Sequence, residues 1–463
     1  MTRLEGQLRA GAAQMEITPR RGTQIAGDIG RWRPAEMVLD PIYARALVLE
    51  QGGRQLCLVS LDVLGVTTEW AEEIRRGAMG LGIAHDAVMV HDIQSHSAPA
   101  IGHFMLSERT PYVPPELAWL RGGDEEYAAW AVERTVEAIR RAQAALQPVY
   151  VGAASGLESR IAFNRRFVMR DGKVATHPAT GSPLIRYAEG PIDPEVGVVC
   201  FNTEDLRTVA LLLHYTCHPC HGYPYRYISA DWPGAWCEQM RTALGPACVP
   251  LVINGCCGNI HHNNHLDPTY VSDHRRMGQI LAQVTEQVLK RITFQRDIAL
   301  DWKSVHIRIP LREPSAEDIE AARQYLAQYP EPKWTDQAHT ALDWDWFFAV
   351  ALLDLWDQRQ HDPLFDVEIQ AFRIGDIAIV GVPGEPFVEG QLRIKLESPT
   401  YPTYVAHHCN TYVGYVPTKE AFGRGGYETR SCNSSKLVPE ALDRMVDAAG
   451  QLLRELFRQG KEK

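Results

Sequence analysis

The stretch from Leu211 to Gly234, LLLHYTCHPCHGYPYRYISADWPG, most constrains how this chain can fold. An apolar strand runs directly into a cluster of His and Cys. An aromatic loop follows, and Ser229-Ala230-Asp231-Trp232-Pro233-Gly234 then opens a helix. Three imidazoles, those of His214, His218 and His221, fall within eight positions. A buried strand that ends in polar ligands and hands over to a helix is the unit from which α/β proteins are built, and their chemistry sits at such strand ends.

The pattern recurs along the chain. Apolar runs end in Gln94 and His96, in the His214–His221 cluster, in Asn254–Asn259, in Glu385, and in Asn410–Tyr415. One such end means little, but five point to a single convergent site. Residues 9–18 read as a strand, and residues 44–65 as a hairpin whose turn is Gly52-Gly53, the pair that supplies the positive φ of a tight turn. Thr67–Met79 has the apolar spacing of a short helix, and Ala87–Ile93 that of a strand. Asp124 is placed to cap a helix carrying Val132, Val136, Ile139 and Leu146. Strands at 149–153, 198–201, 206–215, 249–253, 377–382 and 403–408 alternate with helices from Asp231, around Met277–Val288, and after Pro439 near the C-terminus. Residues 315–362 read as mostly helical, and Trp334, Trp344, Trp346 and Trp356 make them aromatic. This region has the look of an insertion, either walling a pocket or simply packing. Interleaved strands and helices without repeats or low-complexity linkers predict an α/β fold, with mixed central β-sheets flanked by helices, in one large domain spanning 1–463.

Composition narrows the function classes. With 463 residues, 45% of them hydrophobic and 22% charged, the chain has an ordinary globular make-up. A formal charge of −10 without basic runs argues against nucleic acid as a partner. The N-terminal segment lacks a continuous apolar core of the export type. No stretch approaches the roughly 18 apolar residues that span a bilayer. These features predict a cytoplasmic protein without a stable membrane anchor. The ten cysteines are scattered, several within apolar strands, which fits buried thiols better than a disulfide framework.

Imidazoles with a carboxylate and an open position are what catalytic zinc requires, and His96 and His218 are the histidines this pattern favours. Cys217-His218-Pro219-Cys220-His221 also matches the C-x-x-C-H spacing of covalent haem attachment, but that chemistry belongs to exported chains. A Cys217/Cys220 zinc knuckle lacks a second Cys pair nearby. A nucleophile at Cys256 or Cys257 lacks a base that the sequence can place beside it. His261 and His262 read either as site-lining residues or as part of a surface loop.

The ordered motifs carry a family resemblance. They are Ala12–Pro19, Ser95-His96-Ser97-Ala98-Pro99, Asn164-Arg165, His218-Pro219, Ile228–Gly234, Asn254-Gly255 with Gly258-Asn259, Pro383-Gly384-Glu385, Tyr412–Thr418 and Gly426-Tyr427-Glu428. In this order the chain resembles the catalytic domain of the neutral ceramidases. The resemblance implies a mixed α/β catalytic domain and zinc-dependent hydrolysis of the amide of N-acylsphingosine. It implies one Zn2+ per chain, with the family's ligand positions falling on Gln94, His218, Glu385 and Tyr415. The second His of its His-Thr-His run falls on His96, and its substrate-contacting Arg on Arg165. The sequence departs from that pattern at two positions: Gln94 stands where the family has a ligand His, and the family's catalytic Ser falls on Gly255. Gln94 and His96 lie two apart, so on an extended strand they would point the same way. His96 is then available as the ligand, with Gln94 as a weak oxygen ligand or substrate contact. The family's C-terminal immunoglobulin-like domain is not expected here.

The leading expectation is therefore a zinc-dependent hydrolase that cleaves an amide or related acyl bond of a small or lipid-like substrate through a metal-activated water. His96, His218, Glu385 and Tyr415 are expected to hold the metal. Tyr415, Arg165, His96 and Asp231 are expected to serve the chemistry, Asp231 by orienting a His ligand or else as a helix cap. Gln94, Asn254, Gly255, Asn259 and Arg165 are expected to meet substrate. The alternatives are hydrolysis of a carbohydrate derivative, suggested by the Trp-rich region and the polar run after Asn254, and a metal-free binding protein, suggested by Gln94 and Gly255.

Overall fold

The computed structural model describes residues 6–458. Three sheets carry the architecture. The first runs, in spatial order, Val88–Asp92, Arg54–Leu61, Tyr43–Gln51, Arg9–Glu16 and Gln147–Pro148. The second runs Val249–Asn254, Thr208–Tyr215, Glu195–Asn202 and Tyr150–Leu157. The third runs Leu300–Pro310, Leu364–Ile374, Ile377–Gly381 and Thr403–Ala406. Each sheet is antiparallel except at one edge, where its last two strands run parallel. A parallel pair needs a crossover, which these sheets make through helices or long loops, and it puts two strand ends side by side.

The three parallel edges face one another. His91, on the edge strand of the first sheet, gives Nδ1–H to the His407 carbonyl at 2.7 Å and accepts from the Asn254 backbone N–H at 3.1 Å. The His407 N–H in turn reaches the Asn254 carbonyl at 3.1 Å, and the Asn410 N–H reaches the Val90 carbonyl at 2.8 Å. Edge strands of all three sheets are thereby satisfied by one another rather than by water. Their C-terminal ends open into a common region.

Local chemistry explains much of this. Gly52 and Gly53, at φ 59° and 79°, close the hairpin of Tyr43–Gln51 and Arg54–Leu61. The Asp124 side chain accepts from the Tyr127 N–H at 2.9 Å and starts the helix Glu125–Ala144, whose apolar face covers the first sheet. Helices Asp231–Leu244 and His274–Leu289 pack on each other and on the second sheet. Their large buried side chains include Trp232 and Trp236, and burying one such side chain stabilises by about 2–3 kcal/mol. The C-terminal helix Ala441–Phe457 covers the third sheet with Leu442, Met445, Val446, Ala449 and Leu453.

Two parts of the fold add to the sequence reading. The region 315–362 holds two helices, Ala316–Gln328 and Trp344–His361, with irregular chain between them. Trp346 is fully buried, with its indole N–H on the Tyr329 carbonyl, and this region packs with Ile29, Leu106 and Leu120 in a cluster of its own. The paired strands Leu300–Pro310 and Leu364–Ile374 were not expected: Leu300–Pro310 is half exposed along most of its length, so no strongly apolar run announces it. Among the described residues no helix is long and apolar enough to cross a membrane.

Candidate metal centre

Three strand ends build the site. After Val88–Asp92 the chain turns sharply, with Gln94 in the left-handed region at φ 65°. The expectation that Gln94 and His96 share one face of an extended strand is therefore corrected, because the strand stops at Asp92. The turn is held by the Asp92 carboxylate, whose Oδ1 accepts from the Gln94 N–H at 3.2 Å. Both Gln94 and His96 nevertheless line the same small cavity, of about 30 Å³, with Glu385, His408, Tyr412 and Tyr415. Ile29, Leu64, Phe104 and Met105 supply its apolar wall.

The two imidazoles are locked in matching ways. His96 gives Nδ1–H to the Gly27 carbonyl at 3.0 Å, and His218 gives Nδ1–H to the Cys257 carbonyl at 2.6 Å. Each is thereby fixed in the tautomer whose Nε2 carries a lone pair. Gly27 makes this possible: at φ 84° it lies so close that a Cβ there would stand 2.6 Å from His96 Nδ1. Both Nε2 atoms are buried and make no hydrogen bond, and the same holds for Glu385 Oε2. His218 Nε2 and Glu385 Oε2 lie 3.3 Å apart, and the His96 and His218 rings 5.6 Å apart. The other oxygen of Glu385, Oε1, accepts from the Tyr412 hydroxyl at 3.2 Å.

Buried polar atoms without partners are costly and uncommon, and three of them grouped here are the donor set a divalent cation would satisfy. An imidazole whose far nitrogen is tied to a backbone carbonyl is also the usual state of a metal-binding histidine. These residues fit a metal. In this structure His96, His218 and Glu385 do not all come within 4.8 Å of one another, so a cation would draw them together. Among the described residues, the one group of three His, Cys, Asp or Glu ligand atoms that close is His103, Glu108 and Glu125, on a separate hollow of about 600 Å³. Two of its three members are exposed acids, an ordinary surface arrangement.

The electrostatics follow from burial. Burial raises the Glu385 carboxyl, but His218, His408 and Arg165 around it more than offset this and bring it down to about 2, so it is ionised. Burial, with His218 second, pushes His96 down to about 3, and burial with Arg165 lowers His218, so both are neutral and free to donate a lone pair. Burial, with Glu385 beside it, raises the Tyr415 phenol well above its ordinary value, which keeps it protonated.

The remaining expected residues divide. The Arg165 guanidinium stands 5.4 Å from the Tyr415 ring centre, with Nε on Glu428 at 2.9 Å and Nη2 on the Gly258 carbonyl at 2.7 Å. Asp231 bonds His221 Nδ1 at 2.6 Å and the N–H groups of Trp232 and Gly222, so the histidine it orients is His221, not one facing the cavity. Asn254 spends its amide on Ile93, Cys217 and the Cys217 N–H, and Asn259 on Glu389 and the Val388 N–H. A Cβ on Gly255 would meet Thr216 and Gln391, not the cavity. None of these three lines the cavity. His261 and His262 are buried and pack against each other, their rings 4.1 Å apart. Burial holds the thiols of Cys256 and Cys257 far above their ordinary value, which leaves them inert as nucleophiles. No residue of the Trp-rich region lines the cavity; its aromatic side chains are Phe104, Tyr412, Tyr415 and Tyr427.

Sequence reasoning missed Asp92, His408 and Tyr412. His408 gives Nδ1–H to Asp92 Oδ1 at 2.9 Å and lines the cavity. Its only sequence signal was the adjacent pair His407-His408 at the end of an apolar run.

No protein-family model matches the sequence, and no curated protein matches it. Among solved structures, the neutral ceramidase from Pseudomonas aeruginosa superposes with a TM-score of 0.71 at 19% identity, covering 98% of this chain and 75% of that one. A ceramidase complexed with C2 superposes with a TM-score of 0.70 at 19% identity, covering 98% of this chain and 76% of that one. The chain therefore has the neutral ceramidase fold, as its ordered motifs led us to expect.

Proposed function

We propose that this protein is a metal-dependent hydrolase that cleaves an amide or related acyl bond of a small or lipid-like substrate. The observation that carries the reading is a trio of buried, unpartnered donor atoms: His96 Nε2 and Glu385 Oε2 on residues that line one cavity, and His218 Nε2 behind it, 3.3 Å from Glu385 Oε2. His96, His218 and Glu385 would hold the cation, with Tyr415 as the fourth donor, and this nitrogen and oxygen donor set suits one zinc per chain. When bound, the metal would act as a Lewis acid that polarises a carbonyl and acidifies water. Similarity of fold to ceramidases, one of them solved with C2, supports acyl chemistry.

The chain's own groups would do the rest. Tyr415, held protonated, would donate to the oxygen on which charge develops, a positioned donor of the kind that contributes about 3 kcal/mol. Arg165, fixed by Glu428 and Gly258, would place its charge beside that oxygen or beside the substrate's polar group. Ile29, Leu64, Phe104 and Met105 would take an acyl chain and exclude water. A space of about 30 Å³ holds roughly one water molecule, so an acyl substrate must open this wall to bind. All ten cysteines are unpaired, which suits a reducing compartment such as the cytoplasm.

The test is zinc analysis of protein expressed with added metal, together with a screen of N-acyl compounds, esters and glycosides. About one zinc per chain and turnover of an N-acyl compound or ester are expected. Less than about 0.2 zinc per chain would leave a metal-free binding protein as the better reading. Turnover confined to glycosides would favour the carbohydrate alternative.

A further inference from the structure

With Gln94 in place of a family ligand His, the proposed metal site draws on the imidazoles of His96 and His218. The structure carries another imidazole on the same cavity, on a different strand end. His408 follows the edge strand Thr403–Ala406 of the third sheet and takes the left-handed conformation at φ 48°. Its backbone N–H reaches the Gly384 carbonyl at 3.0 Å, directly before Glu385, so the two residues are tied together through the main chain. Its ring packs edge-on to Tyr412 at 5.3 Å, and the Tyr412 hydroxyl is the donor on Glu385 Oε1. Nδ1 is committed to Asp92. Nε2 is buried, lies on a ring that lines the cavity, and has no hydrogen-bond partner.

One carboxylate oxygen organises this corner. Asp92 Oδ1 accepts both the Gln94 N–H and His408 Nδ1–H. It therefore fixes the turn that carries Gln94 and His96 and, in the same contact, aims His408. Two non-glycine residues that line the cavity, Gln94 and His408, are held at positive φ, a conformation that costs of order 1 kcal/mol or more and persists where surrounding structure enforces it.

Resting on the metal-dependent reading above, we infer that His408 is a metal ligand through Nε2, oriented by Asp92, and that it adds a third imidazole to those of His96 and His218. A carboxylate–imidazole–metal arrangement is how proteins orient and strengthen a histidine ligand. Binding of the cation displaces any proton from Nε2 into solvent, so no further reactant is needed.

The experiment uses the full chain loaded with zinc. X-ray absorption at the zinc edge is expected to count three imidazoles on the metal in the wild type, and two would overturn the inference. His408→Asn keeps a residue that tolerates positive φ but is too short to reach the metal. It is expected to drop zinc content from about one per chain to below about 0.2 at wild-type thermal stability of the apoprotein. Asp92→Asn is expected to weaken zinc binding 10–100-fold in chelator competition. If His408→Asn keeps one zinc with unchanged affinity while His218→Ala loses it, His408 is not a ligand and the hydrolase reading stands without it. If the wild type itself holds no zinc, both readings fall.

Discussion

His218 Nε2, in the loop after strand Thr208–Tyr215, and Glu385 Oε2, on the short strand Glu385–Pro386, lie 3.3 Å apart, both buried, and neither makes a hydrogen bond. A neutral imidazole and an ionised carboxylate left in this state inside a protein are stabilised if a cation joins them.

His218→Ala removes one of those two atoms. We expect zinc content to fall below about 0.2 per chain and hydrolysis to fall by 10²-fold or more, since both depend on the same donor. Retention of a full zinc equivalent in this variant would remove His218 from the ligand set. Stripping zinc from the wild type with a chelator should lower the melting temperature, and restoring it at 100 times Kd should recover roughly 2.7 kcal/mol.

Gln94→Ala and His96→Ala separate the two residues of the turn. Gln94 accepts a contact from the Cys257 thiol at 3.3 Å and so has a partner, whereas His96 Nε2 has none. The expected outcome is that Gln94→Ala keeps its zinc and His96→Ala loses it. The opposite pattern in elemental analysis would reverse the assignment.

Gly27→Ala tests the same histidine from behind. The new methyl would stand 2.6 Å from His96 Nδ1 and push apart the bond to the Gly27 carbonyl that sets the tautomer. Zinc affinity should weaken about 10–100-fold, the usual effect of losing the group that orients a histidine ligand. A chelator competition assay reads it directly.

Glu428→Gln probes the anchor of Arg165. Glu428 also bonds Arg166 at 2.6 Å and Thr176 at 2.8 Å, so it holds several elements at once. Leaving the buried Arg165 guanidinium without its carboxylate, while Arg166 keeps Glu189, should cost about 3 kcal/mol in stability. Zinc content should stay at the wild-type value, because Glu428 touches neither histidine. A urea titration and elemental analysis check both halves.

The fold itself should be acid-sensitive. Burial lowers His91 to about 3 and His214 to about 4 from an ordinary value near 6.5. The unfolded chain therefore takes up these protons below pH 6.5, while the folded chain does not until about pH 4 and below. Stability is full above pH 6.5 and falls as the pH drops, by roughly 2.7 kcal/mol per pH unit for the two groups together. Urea unfolding at pH 7 and pH 5 measures the slope. His91→Gln should reduce it by up to one proton and should lower stability at pH 7 as well, since the Asn254 N–H loses its acceptor.

Much of the fold was legible because the signals are local. Gly52-Gly53 can close a hairpin without strain, Asp124 can cap a helix, and the helical spacing of Leu442, Met445, Val446 and Ala449 needs no partner to be recognised. The strand ends bearing His96, His218, Glu385 and Tyr415 were visible for the same reason: an apolar run followed at once by donor residues is a pattern along the chain. The half-exposed strand Leu300–Pro310 carried no such pattern and was missed.

The tertiary structure decided what depends on distance across sheets. It placed Asp231 on His221, turned Gln94 into a left-handed bend that no alternation rule allows for, and filled the needs of Asn254 and Asn259 from neighbouring backbone. It also brought His408 and Tyr412 to the cavity, with Asp92 behind His408, a meeting fixed by three parallel sheet edges that lock through His91. Sequence spacing specifies which way a side chain leaves its own strand; only the packing of one sheet edge on another determines which donor atoms end up within reach of the same point.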